Sequence, residues 1–176
     1  MSSKNRLAKQ LLLTFAVLLA APSSARADDG SPGHMLSLDV GRFVYSLARQ
    51  NNAIVLPLEF EGAVDHMVSL FMAPRLVVHE GAVGLGLGVG IRFYLLAGPA
   101  LRGLWLGPEV GVLYATANES SIVANIALSL GGSVGYNILL GQSLMLSPGI
   151  NFGVIGVGGR AAVIDFSPRL VLGYAF

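Results

Sequence analysis

The stretch Ile122–Leu140, IVANIALSLGGSVGYNILL, contains no charged residue, as expected of a helix that spans a membrane. Its pattern nevertheless has a period of two, because large apolar residues occupy the even positions and small or polar residues occupy the odd ones. Side chains alternate between the two faces of a β-strand, whereas a helix would mix these two sets. The stretch therefore predicts a strand with one apolar face and one small, polar face.

The same alternation recurs along the chain and predicts eight strands. The first, near residues 36–47, loses its phase at Arg42, which suggests a β-bulge. The others are expected at 54–60, 68–78, 84–96, 104–114, 122–140, 144–154 and 164–176. The breaks between them are all about six residues or fewer, and they lie near 48–53, 64–66, 79–82, 97–102, 117–121, 139–142 and 156–161.

Composition decides between two barrels that this pattern allows. A soluble barrel would turn its apolar face inward, whereas a membrane barrel turns it toward lipid and encloses a polar lumen. Eight strands leave an interior just wide enough for side chains, too narrow for the large apolar residues of a chain that is 53% hydrophobic. Only 12% of the residues are charged, about half the share usual in soluble domains. The prediction is an all-β, eight-stranded, antiparallel up-and-down transmembrane β-barrel, with a helical inner-membrane protein as the outlying alternative.

Residues 1–27 are predicted to be a cleaved secretory signal peptide. A basic start precedes the apolar run Leu11–Ala21, which is shorter than the roughly 20 residues that a membrane-spanning helix needs. Ala25 and Ala27 then form an A-x-A cleavage site. The remaining chain carries seven arginines and ten acidic residues, so it has no basic footprint for nucleic acid. The absence of cysteine excludes disulfides and zinc–thiolate sites.

The rest of the chain divides into a short periplasmic segment, 28–35, and the barrel, 36–176. An even number of strands places both termini on the same side of the membrane. Because the precursor is expected to be exported, that side is predicted to be the periplasm. Three breaks are then periplasmic turns, near 64–66, 97–102 and 139–142.

The C-terminal stretch 167–176, SPRLVLGYAF, carries a specific resemblance. Its alternate positions hold two aliphatic and two aromatic residues, Leu170, Leu172, Tyr174 and Phe176. This ending resembles the signal read by the barrel-assembly machinery of the outer membrane. With the stretches 88–94 and 107–111, it makes the chain similar to the small, eight-stranded OmpA- and OmpX-like barrels of Gram-negative bacteria, and within them to a family of compact barrels. The resemblance implies a porin-like fold in the outer membrane, with membrane lipid, lipopolysaccharide and the assembly machinery as partners and a monomer favoured.

Eight charged residues are predicted to form a network inside the lumen: Asp39, Glu59, Glu61, Arg75, Arg92, Glu109, Asp165 and Arg169. Buried charges are tolerated when they are paired and hydrogen-bonded, so the network would plug the lumen. The expected pairs join neighbouring strands: Arg169 with Asp39, Glu59 with Arg75, and Arg92 with Glu109. The alternatives are an ion-selective constriction, or acid–base chemistry by Glu59 and Glu61.

Other motifs indicate no chemistry. The stretch 131–135 matches G-x-S-x-G, but it lies within a predicted strand and no histidine follows it, so the match is attributed to chance. The three histidines, His34, His66 and His79, are too scattered for a metal site. The glycine-rich run 84–90 lacks the spacing of a nucleotide-binding loop and is interpreted as lumen space. No catalytic residue, cofactor or metal is therefore predicted.

The expected function is a structural role in the envelope without catalysis. A narrow pore for ions or small solutes is the first alternative, and a lipid-modifying outer-membrane enzyme is the second. Four of the prolines within predicted strands share a feature, at positions where a missing N–H removes a ladder hydrogen bond. Each follows a small residue, so bulges or kinks at a common depth are expected at Pro74, Pro108, Pro148 and Pro168.

Overall fold

A computed structural model of the chain describes residues 32–48, 53–79, 82–95, 101–116, 126–157 and 163–176. These residues form a closed barrel of eight antiparallel strands, in which each strand pairs with the next and the last pairs with the first. The predicted fold class is confirmed. The predicted signal peptide, with Ala25 and Ala27, lies outside the described residues.

The described residues form eight strands and one helix, α1. The strands are β1 (His34–Asp39), β2 (Ala53–Asp65), β3 (Val68–His79), β4 (Ala82–Tyr94), β5 (Gly103–Ala115), β6 (Ile126–Leu140), β7 (Leu144–Val157) and β8 (Val163–Ala175), and α1 (Val40–Ala48) lies between β1 and β2. The breaks expected near 97–102, 117–121 and 156–161 lie largely outside the described residues, so their length of about six residues or fewer stays a prediction. We call the end of the barrel that holds His34 and Ala175 the terminal end, and the opposite end the distal end.

The two faces of the wall have the predicted compositions. Along β6, Leu128, Leu130 and Tyr136 are exposed on the outer face, while Ser133 and Asn137 are buried in the lumen. The same alternation holds in β4, where the leucines and valines point outward. The outer surface is therefore an apolar belt around a narrow, largely polar interior.

The expected first strand over 36–47, with its bulge at Arg42, is wrong. β1 ends at Asp39, whose side-chain Oδ1 accepts a hydrogen bond of 2.9 Å from the backbone N–H of Arg42. This contact makes Asp39 the N-cap of α1. Apolar residues recur on the helix at helical spacing, at Val40, Phe43, Val44 and Leu47, and this period replaces the strand period.

The helix completes the distal part of the barrel wall. β1 pairs with β2 only from His34 to Leu38, so the distal part of β2 and residues 163–170 of β8 have no β1 neighbour. α1 packs against both of these strands, while Val44 and Leu47 are about half exposed on its outer side. In the described part of the chain, no helix is long and apolar enough to cross a membrane.

Close packing of α1 on β8 leads to a first prediction, for Gly41→Ala. A Cβ atom at Gly41 would meet the backbone nitrogen of Leu170 and lie 2.9 Å from the backbone carbon of Arg169. Although alanine favours helices more than glycine does, this clash with backbone should cost about 1–3 kcal/mol in the free energy of unfolding. Urea unfolding of the refolded barrel measures the loss. Gly156→Ala, which meets nothing within 4 Å, is the matched control, and equal stability of the two variants would contradict the packing of α1.

Pro74, Pro108, Pro148 and Pro168 form no bulges in the described ladders, so the expectation of bulges is wrong, while kinks at these positions stay a prediction. In the described ladders the register shifts only between Ala63 and Asp65. The ladders instead have gaps beside the prolines: pairing of β2 with β3 stops at Pro57↔Arg75 and resumes at Phe60↔Met72, opposite Pro74. Comparable gaps occur at Pro108 and Pro148, and Pro168 faces α1 instead of β1. Proline has no N–H and therefore cannot donate a hydrogen bond to the neighbouring strand. The strand stays regular, and only the ladder on that side of it is interrupted.

Candidate functional site in the barrel lumen

Five charged side chains meet in the middle of the lumen, and we call them the inner cluster: Asp39, Glu59, Glu61, Arg92 and Arg169. All five are buried. Glu59 of β2 accepts hydrogen bonds from Arg92 of β4 at 2.6 Å and from Arg169 of β8 at 2.8 Å. Arg169 also lies 3.7 Å from Asp39. Two arginines therefore share Glu59 across the interior.

Both oxygens of the Glu61 carboxylate have partners. Arg92 donates to Oε2, while Ser69 and Tyr94 donate to Oε1, the tyrosine at 2.6 Å. Ser69 belongs to β3, the strand between the two that carry the ion pair, and its small side chain lets Arg92 reach across. Because burying a charge is costly without such partners, Glu61 and Arg92 depend on each other.

Aromatic rings enclose the Arg92 guanidinium. Its central carbon lies 4.4 Å from the centroid of Phe71 and 4.2 Å from that of Trp105, which are cation–π distances. Glycines on adjacent strands make room for the rings. A Cβ atom would lie 2.5 Å from the Phe71 ring if it were added at Gly90, and 2.7 Å from the Trp105 ring if it were added at Gly135.

An apolar plug closes the lumen between the inner cluster and the terminal end. Its buried members are Met35, Tyr94, Leu101, Trp105, Met145 and Ala175. Leu101 comes from the segment between β4 and β5 and has a positive φ of 64°. Its carbonyl accepts a hydrogen bond of 3.1 Å from Asn137, whose Oδ1 accepts one of 2.8 Å from the Trp105 indole. A segment at the terminal end thus inserts a leucine into the barrel, which the sequence pattern did not predict.

Two further ion pairs, which we call the distal pairs, lie on the distal side of the inner cluster. Arg75 pairs with Glu109, and Arg42 of α1 pairs with Asp165 at 3.0 Å. Their side chains are 14–24% exposed, whereas Arg92 and Glu61 are at most 1% exposed. Gly88 separates Arg75 from Glu109, and a Cβ there would lie 2.6 Å from a Glu109 oxygen.

The structure places all eight predicted charges in the lumen, but two of the three expected pairs have other partners. Arg169 lies beside Asp39 as expected. The expected pairs of Glu59 with Arg75 and of Arg92 with Glu109 are wrong, because each arginine reaches past one strand to the next. A bulged strand over residues 36–47 does not place Arg42 in the lumen, whereas α1 does. Helical spacing after Asp39 is the signal that would have found it.

The four residues of the predicted assembly signal lie exposed on the outer face of the last strand: Leu170, Leu172, Tyr174 and Phe176. Phe176 exchanges two backbone hydrogen bonds of 2.9 Å with His34, which closes the barrel. His34 also stacks on Phe60, with ring centroids 5.8 Å apart. Among the described residues, no group of three or more histidine and acidic side chains could hold a metal ion.

Comparisons with known proteins agree with this geometry at the level of the fold. No protein-family model matches the chain. No curated protein matches it either. Among solved structures, the chain is similar to the outer membrane protein Ail of Yersinia pestis, determined as a backbone structure in a phospholipid bilayer nanodisc. The match has a TM-score of 0.52 at 13% identity and covers 83% of this chain and 100% of Ail.

The likeness shows the fold. The predicted resemblance to small eight-stranded outer-membrane barrels is confirmed at that level, because the closed antiparallel barrel described above matches the whole length of Ail.

Proposed function

We propose that this chain is an integral outer-membrane barrel with a structural role in the envelope, a lumen that does not conduct, and no catalytic activity. The observation that carries the proposal is the closed interior. The inner cluster and the apolar plug lie in series, and Arg92, Glu61, Leu101 and Trp105 are all essentially inaccessible. Ions entering from the distal end would have to break buried salt bridges and displace packed side chains.

The same packing argues against the two alternatives. A pore needs a continuous path, whereas side chains fill the terminal half of the interior. Acid–base chemistry by Glu59 and Glu61 needs an approach for substrate, yet both carboxylates are buried and engaged by arginine. Ser133, the serine of the G-x-S-x-G match, is buried in the middle of β6 and faces the lumen rather than lipid.

Several features support the outer membrane as the location. The belt of exposed apolar residues suits lipid contact. The predicted signal peptide would export the chain, and the C-terminal strand has the form that the assembly machinery recognises. With the terminal end in the periplasm, the distal end would face outward, and membrane lipid and lipopolysaccharide would surround the wall of a monomer.

Assembly in cells tests the location and gives a second prediction. Phe176→Ala should lower the amount of heat-modifiable protein in the outer-membrane fraction several-fold, since it removes the last aromatic of the C-terminal strand. Tyr136→Ala is the matched control, because Tyr136 is also an exposed aromatic on the outer face. Equal levels of the two variants, or a wild-type band whose mobility does not change on heating, would contradict the proposed assembly.

The envelope role is tested in the organism itself. A strain without the protein should become more sensitive to bile salts and to large antibiotics, and wild-type protein should restore resistance. Unchanged sensitivity together with correct outer-membrane assembly would refute the structural role while leaving the location intact.

A further inference from the structure

The distal half of the lumen holds a cavity that the envelope role does not use. Its volume is about 260 Å³, and residues from α1 and from the strands line it. Three residues of the distal pairs, Arg42, Arg75 and Asp165, form its floor on the side of the inner cluster. A smaller void of about 30 Å³ adjoins the same floor and is shared by Arg42, Arg75 and Asp165.

The walls of the cavity are mostly apolar, although Tyr45, Ser46 and Ser129 also line it. Five lumen-facing positions near the distal end carry aliphatic side chains: Val55, Val77, Leu113, Ala127 and Ile155. At the depth of the inner cluster, the same face carries charges, serines and asparagines. An apolar ring above a charged floor is the arrangement that suits an amphiphilic ligand, because the ring removes a hydrocarbon tail from water.

Hydrogen-bonding groups without partners at the floor indicate which polar head group an amphiphilic ligand would need. Three buried polar atoms have no partner within the described structure: Arg75 Nε at the cavity, Asn151 Nδ2 at the adjoining smaller void and Ser167 Oγ at the cavity. The first two are donors only, and the hydroxyl can also donate. Asn151 and Ser167 are themselves at most 5% exposed. Buried donors without acceptors are costly, so the floor is suited to a ligand that accepts hydrogen bonds.

We propose that this cavity binds an anionic amphiphile, with a carboxylate on the Arg75–Ser167 floor and an aliphatic tail against the apolar ring. A carboxylate offers two acceptor oxygens and a negative charge to donors that include two guanidinium groups. The pairing of each arginine with one acid keeps the empty floor neutral and leaves further N–H groups for the ligand. α1 supplies Arg42 to this floor, which gives the helix in the wall a binding role.

Octanoate binding tests the proposal. The mature barrel in zwitterionic nanodiscs is titrated with octanoate by calorimetry, and the signal of empty nanodiscs is subtracted. Octanoate should bind at one site per barrel, while 1-octanol, which has the tail alone, and acetate, which has the head alone, should each bind at least tenfold more weakly. No binding of octanoate, or equal binding of 1-octanol, would overturn the proposal.

Two serine variants provide a matched comparison. Ser167→Ala removes a donor from the floor and should weaken octanoate binding about tenfold, the value of one hydrogen bond to a charged group. Ser147→Ala removes an equally buried hydroxyl that also lacks a partner, but it lies near the terminal end of β7. The Ser147→Ala variant should bind octanoate as tightly as the wild type does. Equal octanoate affinity of the two variants would overturn the placement of the carboxylate beside Ser167.

A third variant is expected to bind octanoate more tightly than the wild type, unlike Ser167→Ala. Glu109→Gln removes the charge that Arg75 pairs with, so the guanidinium is left to attract the ligand carboxylate. Octanoate should bind this variant several-fold more tightly than the wild type, and weaker binding would overturn the role of Arg75.

Discussion

Replacing Arg92 with alanine is expected to destabilise the barrel by about 3–5 kcal/mol, the usual cost of breaking a buried ion pair by removing one partner. Arg92 donates to both Glu59 and Glu61, and both carboxylates are buried. The variant leaves Glu61 with only the hydroxyls of Ser69 and Tyr94. It also removes the guanidinium that packs between Phe71 and Trp105.

Urea unfolding in lipid vesicles measures this loss, with Arg75→Ala as the matched control. Arg75 also pairs with a lumen carboxylate, but that pair is 14–17% exposed at the cavity. The control should lose less, about 1–2 kcal/mol, because the carboxylate left behind is only partly buried. An Arg92→Ala barrel as stable as the control would show that the inner cluster does not hold the structure together.

Trp105→Ala should lower the free energy of unfolding by a similar amount, about 3–5 kcal/mol, because it removes the largest fully buried side chain from a packed interior. The indole contacts the plug, stacks against Arg92 and donates to Asn137. Neighbouring strands cannot collapse into the space, since hydrogen bonds around the whole circumference fix the barrel diameter.

Two further variants separate packing from hydrogen bonding at this position. Trp105→Phe keeps an aromatic ring beside Arg92 but loses part of the ring volume as well as the bond to Asn137, so its loss should be about 1–3 kcal/mol. Phe166→Ala removes an aromatic ring from the outer face, where lipid replaces it, and should lose less than Trp105→Ala. If Trp105→Ala and Phe166→Ala unfold at the same urea concentration, the lumen is not packed as described.

The strands and their faces were predictable because a membrane barrel imposes one simple rule along most of its length. Every second residue meets lipid and every other residue meets a narrow interior, so composition alternates with position, as in β6. Closure of the sheet and the strand order followed from the number of strands and the short breaks between most of them.

The helix α1 was not predicted, although local signals for it were present. Leu36, Leu38 and Val40 continue the strand pattern, and only Val40, Phe43, Val44 and Leu47 together reveal the helical period. Over a segment this short the two periods overlap. The decisive contribution comes from tertiary structure, because the helix packs between β2 and β8 where a strand would otherwise pair.

The identities of the lumen charges could be predicted, but not their pairs. Alternation alone places Arg92 and Glu61 inside, and burial demands that they be paired. Which carboxylate an arginine reaches depends on strand stagger and on the size of the side chain in between. Ser69 and Gly88 are small enough to let arginines pass to the second strand, a property that pairwise inspection of neighbouring strands misses.

Ion conductance across a planar bilayer tests the central claim, a lumen closed by buried ion pairs and an apolar plug, most directly. The refolded wild-type barrel is inserted at low protein concentration, and heat-modifiable mobility confirms that it is folded. The account predicts no stable conductance steps. Reproducible, ion-selective steps from the folded wild-type protein would contradict it and would establish the lumen as a pore.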